Sequence, residues 1–339
     1  MDWIDEADGV FRGGGVKGIA LAGALCGFAE HPAKPVRRWV NVAGASAGAI
    51  IACYLGVGHS AAEMANLLRT DTPFKSFEDF PHGSKALGVV SMLRGGGLAA
   101  GDAFERWFDG VLGAATFEAV AKPENGAKRD WNLKLIAVDI TNKDLLVLPD
   151  DLVNYKLPGT ATLIDPDGFK ISRAARMSMS IPFFFRPIEL DHKDTGRSLI
   201  VDGGTLSNFP VWLFDIDPAT AGRAPCRPTF GFTLTGGKGF GGGFGKLARL
   251  APPNVRTGMQ IFQTAQQAWD ERFVSHSTRV RTVTVDAGDV GTTEFELPSS
   301  KQDMLMANGR TAAREFLDAF SLDDYLNTFH QAIVAAPTS

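Results

Sequence analysis

The sequence predicts an α/β protein of three layers, α/β/α, with a mostly parallel central sheet covered by helices on both faces. Three observations carry that prediction. Short apolar runs alternate with longer helical runs along the chain. Glycine clusters stand where strand-like runs turn into helices. With 339 residues, 45% of them hydrophobic and 21% charged, the chain has ample material for a core. Its length allows two domains, but α/β units with insertions reach this size, so one domain over residues 1–339 is expected.

The elements follow in order. Gly9 to Arg12 reads as a first strand, Gly13-Gly14-Gly15-Val16-Lys17-Gly18 as a turn, and Ile19 to Ala29 as a first helix. Trp39 to Ala43 reads as a second strand and Ala47 to Leu55 as a buried helix. From Arg38 to Glu63 only His59 interrupts an uncharged stretch long enough to raise the question of a membrane span. Asn41 and the glycines at 44, 56 and 58 divide it instead into a buried strand and a buried helix. Ala61 to Thr70, Gly101 to Leu112, Ile171 to Ser178, Val255 to Phe273 and Lys301 to Phe320 carry helical patterns. Leu133 to Asp139, Leu145 to Leu148, Ser198 to Val201, Thr229 to Leu234 and Val280 to Val285 read as strands. Thr72 to Ala100 and the glycine-rich Thr235 to Pro253 read as insertions or mobile cover. No internal repeat is visible.

Charge and composition exclude several function classes. A formal net charge of −4 offers no basic field for a polyanion, which disfavours nucleic acid as a partner. The three cysteines, Cys26, Cys53 and Cys226, are widely separated and fit neither a disulfide framework nor a zinc site. No metal or cofactor is expected. The opening Met1-Asp2-Trp3-Ile4-Asp5-Glu6 has no signal-peptide pattern, so a cytoplasmic location is the expectation, with peripheral contact at a membrane surface.

Chemistry concentrates in three strand-end loops. Gly44-Ala45-Ser46-Ala47-Gly48 puts a serine at a sharp strand-to-helix turn, where flanking glycines clear space and the hydroxyl is thrust outward as a nucleophile. The cluster Gly13, Gly14, Gly15 opens the first helix, so its N–H groups form an anion site. Its letters also satisfy G-x-G-x-x-G, but the second strand ends in Ala43-Gly44 rather than in an acidic residue for a ribose. Ile19 stands where a Walker loop needs lysine. An oxyanion is therefore favoured over a phosphate. Asp202-Gly203-Gly204, after another strand, supplies a carboxylate with room beside it. Loops gathered at one edge of a parallel sheet would bring Ser46, Asp202 and Gly13 to Gly15 into one site, holding a nucleophile, a base and oxyanion donors for acyl transfer.

These motifs, in this order, resemble the patatin-like phospholipase family, with its Gly-Gly-Gly-x-Lys/Arg-Gly loop, G-x-S-x-G elbow and Asp-Gly-Gly/Ala motif. Met177-Ser178-Met179-Ser180-Ile181-Pro182-Phe183-Phe184-Phe185 resembles the family's Ser/Ala-x-x-Pro-x-x-Phe segment. The resemblance covers Asp8 to Phe214 and, more weakly, the chain to about Phe320. It implies a Ser-Asp dyad: Ser46 attacks an ester carbonyl, Asp202 takes its proton, and the amides of Gly13, Gly14 and Gly15 hold the oxyanion. Histidine is then dispensable, and His59 and His192 read as solvated surface residues. Lys17, Arg173 and Arg176 read as solvated or carboxylate-paired rather than as phosphate ligands. The implied substrate is a phospholipid, lysophospholipid or other lipid ester; no activator is assigned. Phe183 to Phe185, and Phe240 and Phe244 in the glycine-rich loop, are candidates to cover an acyl groove or touch a membrane. Three alternatives stay open: an acyltransferase using the same acyl-enzyme, a nucleotide-binding protein, and a non-catalytic lipid-binding module.

Overall fold

The computed structural model describes residues 5–71, 74–93, 96–123, 129–215, 227–236, 245, 251–272, 279–294 and 296–334. Among these, nine strands form one sheet flanked by helices: β1 (Glu6–Phe11), β2 (Arg38–Ala45), β3 (Leu133–Asp139), β4 (Asp144–Leu148), β5 (Tyr155–Lys156), β6 (Ile188–His192), β7 (Gly196–Asp202), β8 (Thr229–Thr235) and β9 (Thr282–Asp286). The helices are α1 (Gly18–Glu30), α2 (Ala47–Gly56), α3 (Ala61–Asn66), α4 (Lys85–Leu93), α5 (Asp102–Val111), α6 (Ile171–Ser178), α7 (Pro253–Arg272), α8 (Ser299–Ala319) and α9 (Leu322–Val334).

The parallel part is the run β3-β2-β1-β8-β9. All seven β3 residues are buried, as its nearly unbroken apolar sequence demands of a strand covered on both faces. The uncharged stretch after Arg38 becomes β2 and the buried α2. No helix among the described residues is long and apolar enough to cross a membrane. Helix α1 is made of small residues because it lies backbone to backbone against α8: a Cβ on Gly309 would collide with the Ala20 carbonyl oxygen, and one on Gly23 with that of Met306.

The other part of the sheet is antiparallel. β4 and β7 both pair antiparallel with β3, and β5, β6 and β7 form an antiparallel meander. β4 runs along one edge of β3, opposite residues 135 to 139. β2 and β7 therefore share the other edge, where β2 ends with Ala45 opposite Ile136 and β7 ends with Asp202 opposite Ala137. Two strands running toward each other on one edge cannot both continue. Each must leave the sheet, and they do so at Ser46 and after Asp202.

Within 72–100, residues read as cover, lies α4, and the end of this stretch is tied to the fold. Leu98 N–H donates to Phe183 C=O at 3.0 Å, Ala99 N–H to Phe184 C=O at 2.8 Å, and Arg186 N–H to Ala99 C=O at 2.9 Å. The second expected cover, 235–253, lies mostly outside the described residues, including Phe240 and Phe244.

Candidate active site

Ser46 closes β2 and caps α2 with φ 54° and ψ −126°. This is a left-handed conformation that non-glycine residues avoid, at a cost of about 1–3 kcal/mol. Neighbouring contacts enforce it. Gly48 presses so closely on β1 that a Cβ there would collide with the Phe11 carbonyl oxygen. The Ser46 C=O accepts the Ala49 N–H at 2.9 Å, starting the helix, and the Ser46 N–H donates to the Ser178 Oγ at 3.1 Å.

Asp202 is fully buried at the end of β7. Its Oδ1 accepts the Gly204 N–H at 2.7 Å, and its own N–H donates to the Ser180 C=O at 3.0 Å. Burial lifts the carboxyl from 3.8 to about 7, against the opposing pull of the Ser46 hydroxyl and the Gly204 N–H. The serine hydroxyl is thus near enough to pull the carboxyl down, while Oδ2 is buried with no hydrogen-bond partner among the described residues. Gly203 is required beside it, because a Cβ there would strike the Ile136 carbonyl oxygen.

The glycine loop reaches the same place. A Cβ on Gly13 would lie 2.8 Å from the Ser46 Cβ. Gly13 differs from its expected role, however: its N–H donates to the Asn208 C=O at 3.1 Å, and the Asn208 Nδ2 donates back to the Gly13 C=O at 3.4 Å. A donor already engaged inside the protein is not offered to substrate. Among the described residues the N–H groups of Gly14 and Gly15 have no such partner, and they open the 3₁₀ turn Gly15–Lys17 that leads into α1. Gly15 has φ 58°, and a Cβ there would collide with the Thr292 carbonyl oxygen. Gly15→Ala is therefore expected to cost about 2–4 kcal/mol and most of the activity. In a chain of this length that cost should lower the melting temperature by about 3–6 °C, and a melt within about 1 °C of wild type would contradict this.

Three histidines make their contacts elsewhere. His31 Nε2 lies 3.2 Å from the Asp318 Oδ1, His59 stacks on Tyr54 with ring centroids 4.0 Å apart, and His192 meets Tyr155 edge-on. His59 and His192 are thus half-buried against tyrosines rather than fully solvated. Arg173 pairs with Glu105 at 2.7 Å, as expected. Arg176 is neither solvated nor paired with a carboxylate: it is buried, and its guanidinium donates to the carbonyls of Ala100, Gly101 and Arg186 and to the Ser180 hydroxyl. Desolvation lowers it to about 10. Cys26 and Cys53 are buried free thiols raised by the same effect; Cys226 and His276 lie outside the described residues.

A family model for patatin-like phospholipases matches residues 9–215. The chain belongs to that family. It is 36% identical over 319 residues to the uncharacterized protein YqhO of Bacillus subtilis (strain 168), covering 91% of this chain and 97% of that one. It is 25% identical over 205 residues to the uncharacterized protein R571 of Acanthamoeba polyphaga mimivirus, 60% of each chain. Among solved structures, VipD from Legionella pneumophila superposes with a TM-score of 0.52 at 17% identity, covering 93% of this chain and 67% of that one, a likeness of fold.

In this member of the family an apolar cavity of about 310 Å³ opens beside the Asp202 turn, lined by Val201, Thr205, Pro182, Phe183, Gly258 and Ile261 among others. Phe183, singled out in the sequence, is one wall, while Phe184 and Phe185 are buried in the core. Asn208, Ser178 and Thr292 were not assigned roles by sequence reasoning. Ser178 stood without a role in the quoted Met177 to Phe185 segment, and all three act through a side chain or carbonyl whose partner is far away in the chain.

Proposed function

We propose that the chain hydrolyses carboxylic esters of phospholipids, lysophospholipids or related lipids, as one hydrolase unit working through Ser46 and Asp202. The observation that carries this reading is the meeting of β2 and β7 on one edge of β3, which brings a strained serine and a buried carboxylate together, with the glycine loop against the serine. Asp202 accepts the Ser46 proton as Oγ attacks the ester carbonyl. The Gly14 and Gly15 N–H groups hold the developing oxyanion, a role worth about 10²–10³ in rate per donor. Collapse expels the alcohol, which takes the proton from Asp202 and leaves an acyl-serine. Water then attacks, Asp202 again accepts a proton, and the fatty acid departs as that proton returns to Ser46. A carboxyl near 7 makes a better base than an ordinary aspartate while remaining largely ionised in mildly alkaline solution.

The cavity suits the hydrocarbon part of such a substrate, being near the low end of small-molecule sites in size and lined almost entirely by apolar groups. Two of its residues, Ile140 and Ile261, are 46% and 64% exposed and give its mouth an apolar rim that supports contact with a lipid surface. Gly258→Leu would fill this space, since even a Cβ there lies 2.8 Å from the Phe183 ring. Long-chain esters are expected to lose about tenfold or more in kcat/KM relative to a short-chain ester. An unchanged ratio would remove the cavity from acyl binding.

The deciding experiment is mass spectrometry of products from a mixed lipid extract, with wild type and Ser46→Ala side by side. Released fatty acid with wild type alone supports the hydrolase. Acyl groups moved to an added alcohol or thiol instead would assign acyl transfer, and no acyl product from either protein would leave a lipid-binding role.

A further inference from the structure

The segment Met177 to Phe185 was singled out in the sequence, yet the reaction above gives it no role. Its backbone and side chains nonetheless touch both halves of the dyad. In the β2–β3 ladder, Val42 N–H donates to the Asn132 C=O at 2.8 Å. A parallel ladder repeats every two residues, so the same pattern carried forward would bring Ser46 N–H to the Ile136 C=O. The chain has turned away by then. The Ser178 hydroxyl fills the gap, accepting the Ser46 N–H at 3.1 Å and donating to the Ile136 C=O at 2.6 Å. Two residues on, the Ser180 C=O accepts the Asp202 N–H at 3.0 Å. The Ser180 Oγ is itself fixed by the buried Arg176 and by the Arg176 C=O at 2.8 Å. Ser46, Ser178, Ser180 and Asp202 are all buried, so water cannot readily replace these bonds.

We propose that Ser178 is a positioning residue for the acyl-transfer reaction: its hydroxyl replaces the missing rung between β2 and β3, holds the Ser46 elbow in its left-handed conformation, and ties it to the segment that also fixes Asp202. This rests on the reading of Ser46 as nucleophile. Without the hydroxyl, the Ser46 N–H and the Ile136 C=O lose their shared partner, and the elbow is free to relax toward the ordinary helical region. Oγ then moves relative to Asp202 and to the glycine amides.

The test is the rate of covalent labelling by a soluble fluorophosphonate, followed to completion, together with kcat and KM on a short-chain ester. For Ser178→Ala the labelling rate constant and kcat should both fall about 10- to 100-fold, the effect of displacing a reacting group by about 1 Å. KM should stay within about twofold and the final stoichiometry should still reach one label per folded chain. A serine that merely supports the fold would lower the stoichiometry and the melting temperature while leaving the rate per labelled site unchanged. Ser198→Ala supplies that comparison, because this buried β7 hydroxyl accepts the Asn142 Nδ2 at 2.9 Å and serves the hairpin rather than the elbow. Ser178→Thr keeps a hydroxyl and should recover part of the rate. If Ser178→Ala labels at the wild-type rate while Ser46→Ala does not label, the positioning role fails and the nucleophile stands. If Ser46→Ala still labels, the reading beneath it fails as well.

Discussion

Ser46→Ala is expected to abolish ester hydrolysis and fluorophosphonate labelling while leaving the fold intact. Ser46 Oγ is the attacking atom in the proposed reaction, so the loss should be about 10⁴-fold or more. Stability should barely change. Alanine adopts the same φ of 54° under the same enforcing contacts, and the deleted oxygen leaves only a small space beside Asp202. Circular dichroism and a thermal melt would establish the fold, and product analysis the activity. Wild-type-like turnover by a correctly folded Ser46→Ala protein would remove Ser46 from the reaction.

Asp202→Asn is expected to lower kcat about 10²- to 10⁴-fold, since asparagine has the same shape but cannot take the proton. A second consequence concerns pH. The carboxyl is lifted from 3.8 to about 7 by burial, and only its ionised form is a base, so the wild-type rate should fall about tenfold per pH unit below 7. Stability moves the other way. Between about pH 4 and 7 the folded chain keeps a proton that the unfolded chain releases, so rising pH favours unfolding across that window and has no further effect above it. The full difference is on the order of 4 kcal/mol. Asp202→Asn should therefore melt higher than wild type above pH 7 and close to it near pH 4. Parallel stability profiles for the two proteins would show that Asp202 is not held as a raised, buried acid.

Much of this was legible in the sequence. β3 was read with its true ends, Leu133 to Asp139, because five of its seven buried residues are apolar and four of them stand together from Leu135 to Val138. α6 was read equally well from Ile171 to Ser178. The short β5 and β6 were missed. In Ile188-Glu189-Leu190-Asp191-His192, polar residues alternate with apolar ones, the pattern of a half-exposed antiparallel strand rather than of the buried parallel strands being sought. α4 was hidden in a segment read as cover, and three of its apolar residues, Leu87, Val90 and Leu93, face outward, which weakens the signal of a buried face. For the site, the residue types of Ser46 and Asp202 and their neighbouring glycines were readable. The manner of their meeting was not. Sequence reasoning gathered all three loops at one edge of a parallel sheet, but Asp202 comes from an antiparallel strand, and strand direction is not written in composition. Nor could spacing reveal that the Gly13 amide is already engaged by Asn208, a partner 195 positions away.

The opposed approach of β2 and β7 along β3 means that catalytic geometry is counted in strand residues rather than set by loop length. One residue added within β7 ahead of Asp202 would send the carboxylate to the opposite side of the sheet, because side chains alternate along a strand. The same addition in the turn between β6 and β7, at Lys193, Asp194 and Thr195, is absorbed by the hairpin without reaching the ladder. Homologous chains should accordingly vary freely in the length of that turn and hardly at all in the number of residues that carry Ala45 and Asp202 to their places on β3.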